Sequence, residues 1–346
     1  MEIDAWWFEN KQKDSEILQP EFCTPKTHLG IYAEMSEITF PFNISVPAKK
    51  DNCKIYCGEF KIDQKKEITD FFEIMCDNRA FLFKSIIGDV TGLPDEITVE
   101  ITIGEKRYKK TVKCEYADIH GKITDFEGNP YPAVVIFSRI SFDSEYACMA
   151  VWSDKNGEYS VIVPKGCYNM FYVCDGSYGK TVLESWSWHM IVDRDEEHDF
   201  KIGNGEVYSL SAWCNNGGGK TMFFWFRPMI LPSVKKSEYE TEINGIKRKV
   251  YDISPELELC DINVMLNGSR LNTISLQKIY ETGKDYTMPS YIIQTERPDN
   301  ASETIEKQTV IVEYNNSDRK EQAGYTCQSQ GRTQFYFKDF FALTLR

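Results

Sequence analysis

The feature that most constrains the fold is the way turns break up short alternating apolar runs. Runs rich in Val, Ile, Thr, Tyr and Phe recur along the 346 residues, separated by Gly, Asn, Asp and Pro. A period of two is typical of β-strands with one buried face. A 3.6-residue apolar period is not sustained over three turns, although residues 67–75 and 276–282 could each form a short helix. The sequence therefore predicts an all-β protein.

Two hairpins fix local registers. The first surrounds a Gly104-Glu105 turn, and Gly in the first position of a two-residue loop predicts type II′. Its register places Glu100 opposite Lys109, a favourable cross-strand pair. The same register puts four β-branched residues on one face: Ile97, Val99, Ile101 and Ile103. Such a face needs a second layer, so we expect this hairpin to belong to a packed sandwich.

The second hairpin surrounds an Asn-Gly dipeptide that begins at Asn244. Asn-Gly between alternating strands is a strong hairpin signal, because both turn residues need a positive φ. The implied register pairs Glu242 with Lys247 and Glu240 with Lys249. The local run of charges is therefore interpreted as the solvated face of a hairpin rather than as a binding patch.

The most specific stretch lies between these hairpins. It opens with G-x-I-x-D-x-x-G-x-P from Gly121 to Pro130. It closes with S-D-x-x-G-x-Y-x-V-x-V-P-x-G-x-Y from Ser153 to Tyr168. Each half contains an Asp and a Gly in positions that predict a tight turn between strands. The closing half then alternates Tyr and Val onto one face of a strand.

This stretch resembles the carboxypeptidase regulatory-like domain, a small transthyretin-like and Ig-like β-sandwich, over roughly residues 117–175. The resemblance implies a fold and not an activity, because the family motif contains no catalytic residue. Domains of this family act as spacers, binding platforms or accessories beside enzymes and surface proteins. Their common setting is exported proteins.

We expect three consecutive β-sandwich domains along the chain. Residues 1–115 form an Ig-like sandwich with an extended N-terminal segment, and residues 116–204 form the carboxypeptidase-regulatory-like domain. Residues 205–346, about 140 in number, have a suitable length for a jelly-roll-like double sheet. The size and the aromatic content of this last block are similar to those of carbohydrate-binding modules, which is an analogy without a motif.

Charge and composition limit the classes of partner and the compartment. The chain carries 40 basic and 53 acidic residues, so its net charge of −13 disfavours nucleic acid and anionic membrane surfaces as partners. No apolar run approaches the ~18 residues of a membrane-spanning helix. The N-terminus lacks the features of a signal peptide, which predicts a cytoplasmic protein, or an exported one if a leader is missing. The 11 cysteines are interpreted as buried free thiols.

Motifs for catalysis or metal binding are absent from the sequence. The four histidines lie far apart, and none forms a zinc-ligand spacing with another His or Cys. The Gly-rich segment 215–220 lacks the GK[ST] ending of a phosphate loop, so we interpret it as a hairpin loop. The acidic run 193–199 is interpreted as a solvated loop, with a calcium site as the alternative. We expect no catalytic residue, no metal and no cofactor.

Two aromatic clusters lead to different predictions. In residues 185–190, Trp186 and Trp188 alternate with serines, which places both indoles in a core. In residues 207–214, Tyr208 belongs to the apolar set with Leu210, Ala212 and Cys214, whereas Trp213 lies among serines on the polar face. The predicted register pairs residue 213 with 221, residue 211 with 223 and residue 209 with 225.

That polar face holds flat aromatic rings among hydroxyl groups, beside an Arg and an Asn-rich loop. Such a surface is suited to stacking on sugar rings and to bonding their hydroxyls. The candidate ligand-binding residues are Trp213, Asn215, Asn216, Phe223, Trp225 and Arg227. The alternative is that this face is buried against another sheet or subunit.

Three functions therefore remain open. The first is a non-catalytic binding or accessory protein, with a glycan or another protein as partner. The second is a structural or assembly protein that uses the same face as an interface, in an oligomeric state that the sequence does not reveal. The third is a glycan-acting enzyme, which needs two carboxylates across a cleft.

Overall fold

The computed structural model confirms the all-β class. It describes residues 2–9, 27–46, 59–69, 72–85, 95–138, 149–168, 170–177, 179–188, 190–214, 220–231, 237–283, 286–298, 307–316 and 321–330. In this part of the chain, the only helical segment is one 3-10 turn, Leu259–Asp261. No helix among these residues is long and apolar enough to cross a bilayer.

The prediction that residues 67–75 and 276–282 could each form a short helix is wrong. The described residues of both segments lie in or beside strands, since backbone pairing with a neighbouring strand satisfies their N–H and C=O groups. Residues 276–282 lie within a strand that pairs along its whole length with another.

The N-terminal unit contains nine strands in two sheets. They are β1 (Glu2–Glu9), β2 (Thr27–Glu34), β3 (Phe42–Ser45), β4 (Glu59–Ile62), β5 (Lys66–Ile68), β6 (Phe72–Cys76), β7 (Ala80–Ser85), β8 (Glu96–Ile103) and β9 (Lys106–Lys113). One sheet has the order β1-β2-β7-β6-β5 and the other β4-β3-β8-β9. Phe42 of one sheet and Phe81 of the other contact each other with ring centroids 5.2 Å apart. The two sheets thus enclose one core, as the sequence of the first hairpin predicted.

Both predicted hairpin registers are confirmed. Glu100 pairs with Lys109, and its carboxylate lies 2.7 Å from the lysine Nζ. Gly104 has a φ of 57°, as the first position of a type II′ turn requires. Glu242 pairs with Lys247 in the second hairpin, across the Asn-Gly turn.

The middle unit contains ten strands. They are β10 (Tyr116–Thr124), β11 (Val134–Ser138), β12 (Met149–Trp152), β13 (Glu158–Pro164), β14 (Gly166–Tyr168), β15 (Met170–Cys174), β16 (Ser185–Trp188), β17 (Met190–Val192), β18 (Glu196–Glu197) and β19 (Phe200–Lys201). β10 pairs with β13 on one side and with β18 and β19 on the other, and β14 pairs with β17.

The turns of the middle unit follow from their Asp and Gly residues. The Asp125 carboxylate accepts a hydrogen bond from the Asn129 backbone N–H at 2.7 Å. The Asp154 carboxylate accepts one from the Asn156 N–H at 2.8 Å. Gly157 has a φ of 75°, and a Cβ there would lie 2.2 Å from a backbone carbonyl oxygen of β10. This position therefore requires glycine both for its conformation and for close approach.

The C-terminal unit contains the last ten strands. They are β20 (Gly205–Cys214), β21 (Thr221–Ile230), β22 (Ser237–Ile243), β23 (Ile246–Asp252), β24 (Ile262–Leu266), β25 (Ser269–Arg270), β26 (Thr273–Thr282), β27 (Thr287–Glu296), β28 (Lys307–Asn316) and β29 (Glu321–Gln330). β20, β21, β27, β23 and β22 form one sheet in that order, and β26 also pairs with β27. This six-stranded sheet carries the candidate site.

The remaining strands form one sheet that runs through the middle and C-terminal units. Its order is β12-β11-β15-β16-β29-β28-β24-β25, and the parallel pair β16-β29 joins the two halves. We call this eight-stranded sheet the central sheet. The domain boundaries near residues 115 and 205 stay predictions, which limited proteolysis can test.

The central sheet is buried on both faces at β11 and β15. Val135 and Phe171 belong to the core of the middle unit, whereas Ile136 and Tyr172 belong to the core that the central sheet shares with the six-stranded sheet. Strands buried on both faces have continuous apolar sequences instead of alternating ones. Residues 133–137 and 170–174 are continuous in this way. Trp186 lies in the shared core, as predicted, with its ring 4.4 Å from that of Tyr172.

Among the cysteines whose side chains the structure describes, the free thiols are Cys76, Cys114, Cys167, Cys174, Cys214 and Cys260. Cys114 is buried, and its thiol lies 3.7 Å from the Ala5 carbonyl oxygen. Cys167 and Cys260 are exposed, so the prediction of burial is wrong for these two. Cys167 alternates with the buried Tyr168 along β14 and therefore faces away from the core, and Cys260 lies in a 3-10 turn that buries none of its residues.

Replacing Phe171 or Tyr172 by alanine tests the shared sheet. These neighbours are 0% and 3% exposed and face opposite cores, so each change is expected to lower the free energy of unfolding by about 3–5 kcal/mol. Urea unfolding followed by fluorescence and by circular dichroism measures the effect. Because one sheet bounds both cores, both variants should lower the same transition. Tyr280→Ala, at an exposed position, is the control and should change stability by less than about 1 kcal/mol. Two separate transitions, each moved by one variant, would contradict a shared cooperative unit.

Candidate functional site

The six-stranded sheet has one face in the shared core and one face that is half open. Along β21, Met222, Phe224 and Phe226 are buried, and the residues between them are only partly covered. Phe223, Trp225 and Arg227 thus share the second face, because side chains alternate along a strand. Trp213 on β20 joins them. We call the set Trp213, Phe223, Trp225 and Arg227 the aromatic face.

Two of its rings stack against each other. Trp213 and Phe223 are directly paired across β20 and β21. Their ring centroids are 5.6 Å apart, and the planes differ by 14°. Both side chains are half-buried, so part of each ring remains accessible. The stacked pair therefore offers a ligand its ring edges and an outer ring face.

A hydrogen bond fixes the orientation of the third ring. The Trp225 Nε1–H donates to the hydroxyl of Ser290 on β27, at 3.1 Å. Ser290 is 0% exposed, so the bond anchors the indole to a buried strand position. Because the indole N–H is already bonded to Ser290, the part of Trp225 that remains for a ligand is its ring surface.

The predicted register of this hairpin is wrong by two residues. Trp213 pairs with Phe223 and not with Thr221, and Ser211 pairs with Trp225. The pairing is also interrupted between Tyr208 and Ser211, where a β-bulge lies. A slip of two residues keeps every side chain on its own face, so the aromatic residues still lie together.

The bulge places Tyr208 between Arg227 and the shared core. Ser209 adopts a φ of 57° at the bulge, and beyond it Tyr208 pairs with Arg227. The tyrosine still packs against the shared core that includes Leu210 and Ala212, and its ring centroid lies 5.8 Å from that of Trp186 and 5.3 Å from that of Trp188. Its ring lies 5.4 Å from the Arg227 guanidinium carbon, in cation–π geometry.

Arg227 is held on its other side by a carboxylate. Its Nε–H donates to Glu281 on β26 at 2.9 Å, and its Nη2 contacts the same carboxylate oxygen. Only 12% of the Arg227 side chain is exposed. The guanidinium is therefore fixed between Tyr208 and Glu281.

Neutral polar side chains surround the rings. Gln294 on β27 pairs with Phe223, and its Oε1 accepts a hydrogen bond from the Ser275 hydroxyl at 3.3 Å. Ser211, beside Trp225, is exposed. The Gln294 amide and the Ser211 hydroxyl are thus placed next to the aromatic rings. The predicted residues Asn215 and Asn216 lie outside the described residues, as does the Gly-rich segment after them.

A buried carboxyl pair lies close to the Arg227 end of this face. Glu206, at the start of β20, is 1% exposed, and neither of its carboxylate oxygens has a hydrogen-bond partner in the described part of the chain. Burial, and then the nearby Glu184, raise the pKa of Glu206 well above its usual range. Burial also raises the pKa of Glu184 from 4.5 to about 7. Glu206 therefore favours its protonated form at neutral pH, whereas Glu184 populates both its protonated and its charged form there.

Three groups lower the pKa of Glu206 without removing the shift: the Trp186 indole, the backbone N–H of Glu184 and the Arg227 guanidinium. The indole N–H of Trp186 is near both carboxyls, but it makes no hydrogen bond of normal geometry to them. Arg227 also lowers the pKa of Glu206, although Glu281 neutralises much of its charge. The sequence did not predict this pair, because a single Glu at the start of a strand normally indicates a solvated position.

The acidic run 193–199 has a structural role in the middle unit. Asp195 accepts a hydrogen bond from the Asp118 backbone N–H at 2.9 Å. Asp199 accepts one from the Lys122 N–H at 2.8 Å. These carboxylates complete the edge of β10 between β18 and β19, so the run is not a simple loop. Among the described residues, no group of three or more His, Cys, Asp or Glu side chains is arranged to hold a metal ion.

Comparison with known proteins gives no family for this chain. No family model matches it, and no curated protein does. Among solved structures, it is similar to the crystal structure of a variant of BcpA, the major pilin subunit of Bacillus cereus. The identity is 14%, the alignment covers 64% of this chain and 70% of that chain, and the TM-score is 0.18. A similarity of this size carries no argument about function.

Glu184→Gln tests the buried carboxyl pair. Because the folded-state pKa of Glu184 is raised, the folded protein binds more protons than the unfolded chain between about pH 4.5 and 7. The free energy of unfolding should therefore decrease as pH rises through this range, by at most about 1.4 kcal/mol per pH unit for one proton. The variant cannot titrate at this position, so its profile should be flatter.

Urea unfolding at several pH values measures this difference. Glu158→Gln, which removes an exposed carboxylate of the middle unit, is the control and should keep the wild-type slope. An identical slope for wild type and Glu184→Gln would contradict the raised pKa.

Proposed function

We propose that this protein is a non-catalytic glycan-binding or accessory protein and that the aromatic face is its binding surface. The observation that carries the proposal is the stacked Trp213–Phe223 pair, whose nearly parallel rings remain partly exposed. Sugar rings have apolar faces that stack on exposed aromatic rings and hydroxyls that need polar neighbours. Ser211 and Gln294 are placed beside the rings to supply them.

Rigidity also supports a binding role. The hydrogen bond from Trp225 to Ser290 and the ion pair of Arg227 with Glu281 hold two side chains of the face in fixed positions. A surface whose side chains are already ordered loses less conformational entropy when a ligand binds. Side chains on a surface without a binding role do not need such contacts to hold them in one orientation.

We also propose that the middle unit is a carboxypeptidase-regulatory-like spacer that carries the binding unit. The support is the sequence motif together with its turns, in which Asp125 and Asp154 accept backbone hydrogen bonds and Gly157 has a positive φ. A spacer of this kind needs no site of its own.

The buried carboxyl pair does not favour a glycan-acting enzyme. Glycoside hydrolysis needs two carboxyl groups that flank a bound sugar. Glu206 is 1% exposed, so a sugar in solution has no access to it in this structure.

Trp213→Ala and Trp225→Ala test the proposed function. Each is expected to weaken binding on a glycan array or in affinity gels by about tenfold or more, because each removes a ring that would stack on the ligand. Tyr280→Ala is the matched control, since Tyr280 is 36% exposed and lies on the opposite face of β26 from Glu281. Circular dichroism confirms that the variants are folded.

Three outcomes would count against this proposal. Wild type that binds no glycan would remove its basis. Unchanged binding by both tryptophan variants would move the site elsewhere, for example to the groove of about 640 Å³ that Trp152 lines in the middle unit. Variants that instead change the oligomeric state would indicate that the face is a subunit interface.

A further inference from the structure

We infer that the glycan bound by the aromatic face is uncharged, and that the Arg227–Glu281 ion pair prevents this face from binding acidic sugars. The inference rests on the proposed glycan-binding function and specifies its ligand class. It follows from which charges on the face are free and which hydrogen-bonding groups remain available.

Free cations are absent from the described part of this face. The positions that share it on β20, β21, β27 and β26 carry aromatic, aliphatic, hydroxyl or amide side chains, apart from Arg227, Glu281, the buried Glu206 and the exposed Glu296. Arg227 and Glu281 neutralise each other, and Glu296, which pairs with Thr221, adds a negative charge at the loop end of the face. The described part of the face therefore has no unpaired positive charge that could attract an acidic sugar.

The one cation among these positions, Arg227, already has a carboxylate partner. Its Nε–H and Nη2 both contact the Glu281 carboxylate, so the side-on fork of the guanidinium is occupied. Its flat surface lies against the ring of Tyr208. With 12% of its side chain exposed, it can move only by breaking both contacts.

The polar groups that remain available beside the aromatic rings, on Gln294 and Ser211, are neutral. Gln294 accepts a hydrogen bond at its Oε1, which leaves its amide N–H groups for a ligand. The exposed hydroxyl of Ser211 can donate or accept. Such groups match the hydroxyls of a neutral sugar. A uronate would lose hydration of its carboxylate and gain no free cation in return, which is unfavourable.

Removing Glu281 would release the cation. In Glu281→Gln, the guanidinium of Arg227 keeps its position beside Tyr208 but loses its carboxylate partner. We expect this variant to gain binding to a uronate polymer. A gain of about tenfold corresponds to ~1.4 kcal/mol, which lies within the range for a charge-assisted hydrogen bond.

Affinity electrophoresis with three polymers tests the inference. The gels contain hydroxyethyl cellulose, galactomannan or polygalacturonate, and the samples are wild type, Glu281→Gln and Glu256→Gln. The last is the matched control, because Glu256 pairs with Lys278 at 2.7 Å and its loss changes the net charge equally without touching the aromatic face. We expect a neutral polymer to retard wild type, polygalacturonate to retard Glu281→Gln alone, and neutral binding to be insensitive to salt between about 0.05 and 0.5 M.

The outcomes separate this inference from the proposed function. Salt-sensitive retardation of wild type by polygalacturonate would overturn the inference and leave glycan binding intact. Equal gains in Glu281→Gln and Glu256→Gln would also overturn it, because net charge would then explain the effect. Wild type that no polymer retards would overturn both. The salt series on wild type needs no variant, so it decides the question even if Glu281→Gln fails to fold.

Discussion

Burial of β11 and β15 on both faces is the constraint on which the rest of the structure depends. Phe171 and Tyr172 are neighbours in β15, yet they belong to two different cores. Close packing on both sides means that neither neighbouring layer can move without disturbing the strands between them. The six-stranded sheet is positioned against this layer through the shared core, and its outer face is therefore presented on a rigid base.

The two faces of the six-stranded sheet differ in polarity because only one of them packs against the shared core. The inner side chains of β21 fill the shared core, and the alternate ones are only partly covered. Contacts among the side chains of this face hold them in place. Trp225 is anchored by a buried hydroxyl, and Arg227 is held by Tyr208 and Glu281. These contacts give the face a defined shape and leave its described part without a free cation.

Much of the fold could be predicted because its local signals agree with one another. The Gly104 and Asn244 turns fixed two registers, and the burial of Trp186 followed from alternation. The residues of the aromatic face were also predicted together, although their register was displaced by two. Loop length decides such a register, and this loop contains an Asn-Gly dipeptide followed by two further glycines, which allows turns of more than one length. The bulge at Ser209 was not predictable, because Ser carries no strong preference for a positive φ.

Local sequence patterns are sufficient to predict the strand class, two hairpins and which side chains of β21 share a face, since these depend on residues close together in the chain. The sharing of the central sheet and the burial of Glu206 beside Glu184 are instead consequences of tertiary packing. Tertiary packing also decides the neutralisation of Arg227 by Glu281, 54 residues away. Each of these depends on segments far apart in the chain, whose meeting is set by the packing of layers and not by any local pattern.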